Sequence, residues 1–281
     1  KLDGSYPTGT DNVALGDTAL DSVQAGGVSN TVIGHNAGTA ITTGDGNTVV
    51  GDLALDASST SSDNTAIGRC ALTTSTASNN TAVGAYSLRD NTTGSNNVAS
   101  GISALKENTS GNNNTAIGNS SLCNNTTAGD NTAVGHSALK TNTTGANNTA
   151  MGCGALLANT TGGCNTSVGS LALDANTTGA NNTSIGFLSL SNNTTADGNT
   201  AVGFCSLRSN TVGFDNTAIG NEALKTNLGG DHHTALGSGA LQKNTDGDNN
   251  TAVGWDSQND NTTGSDNNSL GRESLHSNTT G

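Results

Sequence analysis

The residue types that most often carry out catalysis are scattered along this chain. Its histidines are His35, His136, His232, His233 and His276, of which only His232 and His233 are adjacent. The sequence contains no Gly-x-Ser-x-Gly elbow, no His-Glu-x-x-His motif and no phosphate-binding loop. We therefore predict that the protein is not an enzyme and has no catalytic residues.

The cysteines offer little chemistry either. They are an odd number, five, and form no Cys-x-x-Cys pair, which argues against a zinc site. We expect them to be small, semi-buried side chains, with a disulfide such as Cys153–Cys164 as the alternative. They are Cys70, Cys123, Cys153, Cys164 and Cys205.

One acidic column offers candidate ligands for calcium. Asp11, Asp63, Asp130, Asp215 and Asp266 share one position of a repeat. Other copies carry Asn there, and a mixed Asp/Asn column favours turns closed by the side chain. The nine-residue calcium-roll pattern is absent. We expect neither cofactor nor metal, and surface calcium is the alternative.

Asparagines followed by Thr-Thr or Thr-Ser are formal glycosylation sequons. Such sequons arise by chance in a chain rich in Asn and Thr, and sugars on successive coils ~4.8 Å apart would crowd one another. An unmodified ladder of turns is the main interpretation, and partial glycosylation is the alternative. The candidates are Asn91, Asn108, Asn125, Asn142, Asn159, Asn176, Asn193, Asn261 and Asn278.

Composition narrows the class of protein. Only 31% of the 281 residues are hydrophobic and 11% are charged, unlike an ordinary globular enzyme. The net charge of −13 disfavours nucleic acid as a partner, since phosphate binding needs clustered Lys or Arg. No run of 18 apolar residues is present, so we predict no membrane span.

A tandem repeat runs through residues 11–281, and residues 1–10 form an N-terminal segment outside it. An anchor glycine recurs every 17 residues, with one spacing of 18 and one of 16, in 16 copies from Gly16 to Gly271. The consensus is G-x-x-A-L-x-x-N-T-T-G-x-N-N-T-A-V. Seventeen residues cannot hold two helices and a turn, so we expect two short strands per repeat. We predict one all-β domain, a parallel β-solenoid of about 16 coils.

Alternation within the repeat predicts which side chains are buried. The residue before the anchor glycine is aliphatic or Met in 15 copies, and the fourth after it is Leu in 14. Small Ala or Ser residues adjoin both. Because neighbours in an extended chain face opposite ways, we expect Val, Ile and Leu inside and Ala or Ser outside. The predicted core includes Val134, Leu139, Ile117, Leu122, Val168 and Leu173.

Asparagine occupies the fourth position before the anchor glycine in 15 copies, and His233 is the exception. Inward Asn side chains at a coil corner can bond the same residue one coil away. We therefore predict a ladder that includes Asn80, Asn114, Asn131, Asn148 and Asn182.

The outward Ala/Ser columns would form a flat surface that another copy could approach closely. A single coil buries little apolar area against the entropy of ordering 17 residues. We therefore expect lateral association, in the simplest case a homotrimer of parallel rods. The alternative is that these residues are small because the corners are crowded.

The units Asn131-Thr-Ala-Val-Gly-His-Ser-Ala-Leu139 and Asn142-Thr-Thr-Gly145 resemble repeats of bacterial and viral tail-fibre-domain proteins. In that family such repeats commonly precede an endosialidase-type intramolecular chaperone. The Asn-x-x-Ala-(Val/Ile)-Gly core is also similar to the head of trimeric autotransporter adhesins, where a shorter repeat winds a left-handed parallel β-roll. The resemblance covers residues 11–281 and implies a surface-exposed fibre.

These observations lead to one main prediction of function and two alternatives. The main one is a non-enzymatic structural rod in an extracellular cell-surface appendage or virion fibre, with end-to-end extension into a filament as an open possibility. The first alternative is an adhesin that binds glycan or protein through variable corner residues, namely Tyr86, Phe187, Phe204 and Trp255. The second is ice binding by a Thr column. Thr shares the parity of Val, however, so we expect it to point inward.

Overall fold

A computed structural model describes residues 11–281, and the predicted segment 1–10 lies outside them. Contacts divide the chain into two compact units, a first ending at Thr144 and a second spanning Gly145–Gly281. Throughout the described residues the regular structure is β, with no helix. Each unit contains eight strands of three residues, one for each predicted repeat.

In the first unit, strands β1–β8 form a parallel sheet in sequence order. They are β1 Val13–Leu15, β2 Thr31–Ile33, β3 Thr48–Val50, β4 Thr65–Ile67, β5 Thr81–Val83, β6 Val98–Ser100, β7 Thr115–Ile117 and β8 Thr132–Val134. The longer and shorter repeats keep the pairing, because Val13 pairs with Thr31 and Thr65 pairs with Thr81.

The second unit repeats this arrangement with strands β9–β16. They are β9 Thr149–Met151, β10 Thr166–Val168, β11 Thr183–Ile185, β12 Thr200–Val202, β13 Thr217–Ile219, β14 Thr234–Leu236, β15 Thr251–Val253 and β16 Asn268–Leu270. Equivalent residues pair, as Thr166 does with Thr183 and Val168 with Ile185. The predicted parallel β-solenoid with a 17-residue repeat is confirmed.

Outside its strand, each coil consists of turns. The second and fourth residues after the anchor glycine have left-handed backbones, as Ser137 at φ 55° and Leu139 at φ 51° illustrate. An extended strand cannot continue through such residues. The prediction of two strands per coil is therefore wrong, and each coil has one.

The strands bury their central residue, not the two beside it. Ala133, at the centre of β8, is fully buried together with Ala138 and Leu139 from the following turns. Val134 is only half-buried, and Ile117 is 42% exposed. The predicted burial of Leu139, Leu122 and Leu173 agrees with the structure, whereas that of Val134, Ile117 and Val168 is wrong.

The narrow interior explains this inversion. Leu enters most coils from the turn, and the facing strand residue is Ala or Ser in every strand except β2 and β3, where it is Val32 and Val49. The third coil buries both Val49 and Leu55 completely. The second coil shows the exchange, because Gly38 replaces Leu there and the larger Val32 lies at the centre of β2. A Cβ on Gly38 would lie 2.9 Å from Ile41 and 3.4 Å from Val32, so these two side chains occupy the space that Leu fills elsewhere.

Candidate functional site: an uncharged sheet face

Two Asn ladders run inside each unit and hold the coils in register. In the first ladder, the backbone N–H of Asn97 donates to Oδ1 of Asn80 at 3.0 Å. Nδ2 of Asn97 donates to the Gly111 carbonyl of the next coil at 2.9 Å. Each side chain thus links three coils. The predicted ladder residues Asn80, Asn114, Asn131, Asn148 and Asn182 are all buried in it, which confirms the ladder.

The second ladder joins side chain to side chain. Nδ2 of Asn108 donates to Oδ1 of Asn91 at 2.8 Å, and Asn125 donates to Asn108 at 2.8 Å. The same amide group of Asn108 also donates to the Gly111 carbonyl of its own coil at 3.0 Å. These asparagines are therefore fully engaged inside the coil.

This second ladder contains the candidate glycosylation sites. Eight of the nine are completely buried, so the folded coil leaves no room for a sugar on their amide nitrogen. They are Asn91, Asn108, Asn125, Asn142, Asn159, Asn176, Asn193 and Asn261. Asn278 is half-buried. Their burial therefore contradicts glycosylation of these eight asparagines in the folded protein, and it agrees with the interpretation of an unmodified ladder.

The sequence also contains a series of Asn-Asn-Thr sequons that sequence reasoning missed. Their first Asn lies five residues before the anchor glycine, at an exposed corner with a left-handed backbone. They are Asn79, Asn113, Asn147, Asn181 and Asn249. The second Asn of each sequon is the buried ladder residue, and this overlap makes the motif hard to recognise in the sequence.

The first and third residues of every strand point outward and form what we call the Thr/aliphatic face. Thr fills the first position in 13 of 16 strands, and an aliphatic residue or Met fills the third in 15. Ile185 is 39% exposed and Leu236 is 44% exposed. None of these positions in β1–β16 is charged. The prediction that Thr points inward is wrong, because it shares its parity with the outward Val and Ile.

The small Ala and Ser columns, expected to form the contact surface, are instead interior. The central strand residue is buried in β2–β16, and Ala138 and its equivalents line the same interior. Association through these columns is therefore excluded, because they pack against Leu within their own coil. Any partner that packs on the sheet meets the Thr/aliphatic face.

Several acidic side chains at the coil corners bond to backbone groups. The backbone N–H of Phe214 donates to Asp231 at 2.9 Å, and that of Asp231 donates to Asp248 at 2.9 Å. Val28 donates to Asp45 in the same way. These carboxylates satisfy backbone groups of the preceding coil, which accounts for part of the acidic surface without invoking a ligand.

The candidate calcium column consists of left-handed corner residues. Asp63 has φ 59°, Asp130 has φ 59° and Asp215 has φ 52°. Asn, Asp and Gly tolerate this conformation best, which explains the mixture. Asp11 and Asp266 share the conformation. Within residues 11–281, no group of three or more His, Cys, Asp or Glu is placed to hold a metal ion.

The structure brings together only some of the predicted ligand-contact aromatics. Phe187 and Phe204 stack on neighbouring coils with ring centroids 5.8 Å apart, and both are exposed. Trp255 instead pairs with the guanidinium of Arg272, 4.6 Å from its ring. Tyr86 lies in the first unit beneath Arg69 and is half-buried. In the second unit, the Phe187–Phe204 pair and Trp255 therefore make separate contacts.

The remaining candidate residues are the histidines and the cysteines, which make individual contacts. His35 contacts Asp52 at 2.9 Å, His276 lies 3.7 Å from Asp260, and His136 is exposed. All five cysteines are free thiols. Burial raises the pKa of the Cys123 thiol, which keeps it protonated. Only His233 is a buried histidine.

The fold and this surface define the chain as a parallel β-solenoid with an uncharged outward sheet. No family model matches the chain, and no curated protein matches it. Among the residues that the structure describes, no helix is long and apolar enough to cross a membrane.

Sequence reasoning missed the Thr/aliphatic face because hydrophobicity was equated with burial. One signal could have revealed it. The first and third positions of the 16 strands carry no charge, whereas solvent-exposed positions often have charged residues.

Proposed function

We propose that the protein is a non-enzymatic structural rod of an extracellular or virion surface fibre, assembled from parallel copies packed through the Thr/aliphatic face. The observation that carries this proposal is the unbroken, uncharged and largely aliphatic outward column of each unit. Large exposed apolar surfaces on soluble proteins usually mark sites of association. A homotrimer is the simplest closed arrangement with three parallel faces turned inward.

Charge favours a second copy as the occupant. The chain carries a net charge of −13, so two copies repel one another over most of their surfaces. The Thr/aliphatic face carries none of that charge. Like chains can therefore meet there without burying an unpaired carboxylate, which would be costly.

The area of the face on each unit sets the size of the contact that it can form. Eight strands ~4.8 Å apart and ~10 Å long give each unit on the order of 400 Å² of sheet. That is about half of the ~800 Å² that one partner contributes to a standard interface. The outward Val and Ile gain burial on association that they lack in the separate chain.

The mechanical role follows from the way coils support one another. Each coil bonds to its neighbours through strand pairing and two Asn ladders, and these bonds run along the direction of stacking. Such an assembly transmits force through many parallel hydrogen bonds. The resemblance to tail-fibre and adhesin-head repeats supports placing it in a surface fibre.

Sedimentation velocity of the wild-type chain and a double variant tests this proposal. Ile117→Asp and Ile185→Asp place one carboxylate on the face of each unit, and both side chains are outward, so the coils still fold. We expect a trimer for the wild type and a monomer for the variant. Asn119→Asp with Asn221→Asp, at exposed corners, adds the same charge and should remain trimeric. A monomeric wild type, or a variant that stays trimeric, overturns the proposal.

Ice is a second candidate, favoured by the outward Thr column. Regularly spaced Thr methyl and hydroxyl groups ~4.8 Å apart on a flat sheet can order water along one direction. The same proteins discriminate between the two functions. A monomeric wild type with thermal hysteresis, lost in the Ile117→Asp/Ile185→Asp variant and kept in the corner control, would establish ice binding instead of self-association.

A further inference from the structure

His233 occupies the first-ladder position that Asn fills in all the other coils. Its backbone N–H donates to Oδ1 of Asn216 at 2.9 Å, as a ladder Asn does. On the other side, the backbone N–H of Asn250 donates to Nδ1 of His233 at 3.2 Å. The imidazole thus replaces the accepting oxygen of the missing Asn.

The second ring nitrogen replaces the donating amide. The His233 ring also hydrogen-bonds the Gly247 carbonyl, the group that corresponds to the Gly111 acceptor of Asn97. Since Nδ1 accepts, Nε2 carries the proton and donates. Nδ2 of Asn244 lies 3.1 Å from Nε2, but it donates to Asn227 and to Gly247. The surroundings therefore fix one neutral tautomer.

A second proton on the ring has no acceptor. It would lie on Nδ1 and point at the N–H of Asn250, so that two donors face each other in a buried site. Breaking that contact frees the Asn250 backbone and removes one rung between β14 and β15. An Asn at this position cannot be protonated in the same way.

We propose that His233 makes its coil an acid-sensitive point of the second unit, where protonation opens the ladder between residues 233 and 250. The other ladder positions in the described chain are Asn and lack this response. The effect is local, because each coil of a solenoid depends mainly on its neighbours.

The charges around the ring and its burial determine the direction of the response. Burial lowers the pKa of His233 below its ordinary value of 6.5, against the opposing effects of the Gly247 carbonyl and the carboxylates of Asp248 and Asp231. The unfolded chain then binds more protons than the folded one just below pH 6.5. The neutral His233 ring therefore contributes its full stabilisation above that pH. This contribution decreases as the pH falls toward the lowered pKa, and below that pKa it decreases no further.

Hydrogen exchange measured by mass spectrometry on the full chain tests this proposal. After correction for intrinsic rates, local opening around residues 244–252 should rise about tenfold per pH unit from pH 6.5 down to the pKa of the ring. Peptides around residues 148–156, in an all-Asn part of the same unit, should not respond. His233→Asn restores the consensus residue, so it should fold and abolish the response.

His232→Asn is the matched control, because this neighbour is exposed and other coils carry Asn at its position. That variant should keep the wild-type response. Nitrogen chemical shifts of the His233 ring should show the Nε2–H tautomer at neutral pH. Equal pH responses in the wild type and His233→Asn, or a His233 pKa at or above 6.5, overturn the proposal.

Discussion

At the scale of the residue, the anchor glycine explains why one position of the repeat is invariant. Its φ lies near 135°, as in Gly118 at 128° and Gly169 at 135°. A Cβ on Gly118 would lie 2.5 Å from the carbonyl oxygen of Gly135 in the next coil. Both backbone conformation and the approach of the next coil therefore require glycine.

Replacing Gly118 with Ala should destabilise the first unit by more than about 2 kcal/mol, through backbone strain and the clash with Gly135. Chemical denaturation followed by circular dichroism measures the change. Gly229→Ala is the control, because its new Cβ would lie 3.6 Å from Val212 in ordinary contact and its backbone is not left-handed. We expect that variant to be unchanged or slightly stabilised. Equal destabilisation of both variants would contradict the role assigned to the anchor glycine.

At the scale of the coil, packing separates two kinds of apolar residue that look alike in the sequence. Leu139 fills the interior with a left-handed backbone, while Val134 lies outward beside the buried Ala133. Burial of Leu contributes roughly 1.5–3 kcal/mol, which offsets the ~1–3 kcal/mol cost of its left-handed conformation. The coil thus stabilises one strained turn with one large side chain.

Leu139→Ala should therefore cost about 2–5 kcal/mol, since it leaves a cavity that neighbouring coils cannot close. Val134→Ala should cost less than about 1 kcal/mol in the dissociated chain, because the side chain is already half in solvent. Thermal unfolding at low protein concentration compares the two. A loss at Val134 that matches the loss at Leu139 would restore the sequence-based assignment of Val134 to the core.

The repeat length, the parallel stacking and the Asn ladder could be predicted, because each depends on a spacing visible in the sequence. Asn80 and Asn114 are examples, since a polar residue at a fixed period is explained only by a partner one coil away. The outward direction of Ile117 could not be predicted, because alternation of large and small residues defines two opposite faces but does not show which of them is inside. That choice depends on Leu122 entering from a left-handed turn, which local propensity does not reveal.

At the scale of the whole molecule, the two sequon series differ in accessibility. Eight members of the first series, the Asn-Thr-Thr or Asn-Thr-Ser sequons, lie buried in the second ladder, and a sugar on any of those eight asparagines would prevent the coil from closing. The Asn-Asn-Thr series lies at exposed corners, and from Asn79 to Asn181 it recurs every 34 residues. Folding and modification therefore compete at the first series and are compatible at the second.

Chains that fold in a glycosylating secretory route should carry sugar on the corner series and none on the ladder series. Asn113 and Asn108, one exposed and one buried, are a matched pair in the first unit. Glycopeptide mass spectrometry of the folded fraction measures their occupancy, with the misfolded fraction as the comparison. A folded chain with sugar on Asn108 would contradict the ladder.

The equivalence of successive coils has a consequence for how such a gene can change. Ladder bonds connect a residue to its counterpart one coil away, and strand pairs do the same, so a coil is defined by its neighbours and not by its place in the chain. A change that inserts or deletes one whole seventeen-residue unit therefore leaves each ladder with equivalent partners to reconnect. Length can therefore vary between generations while the protein continues to fold.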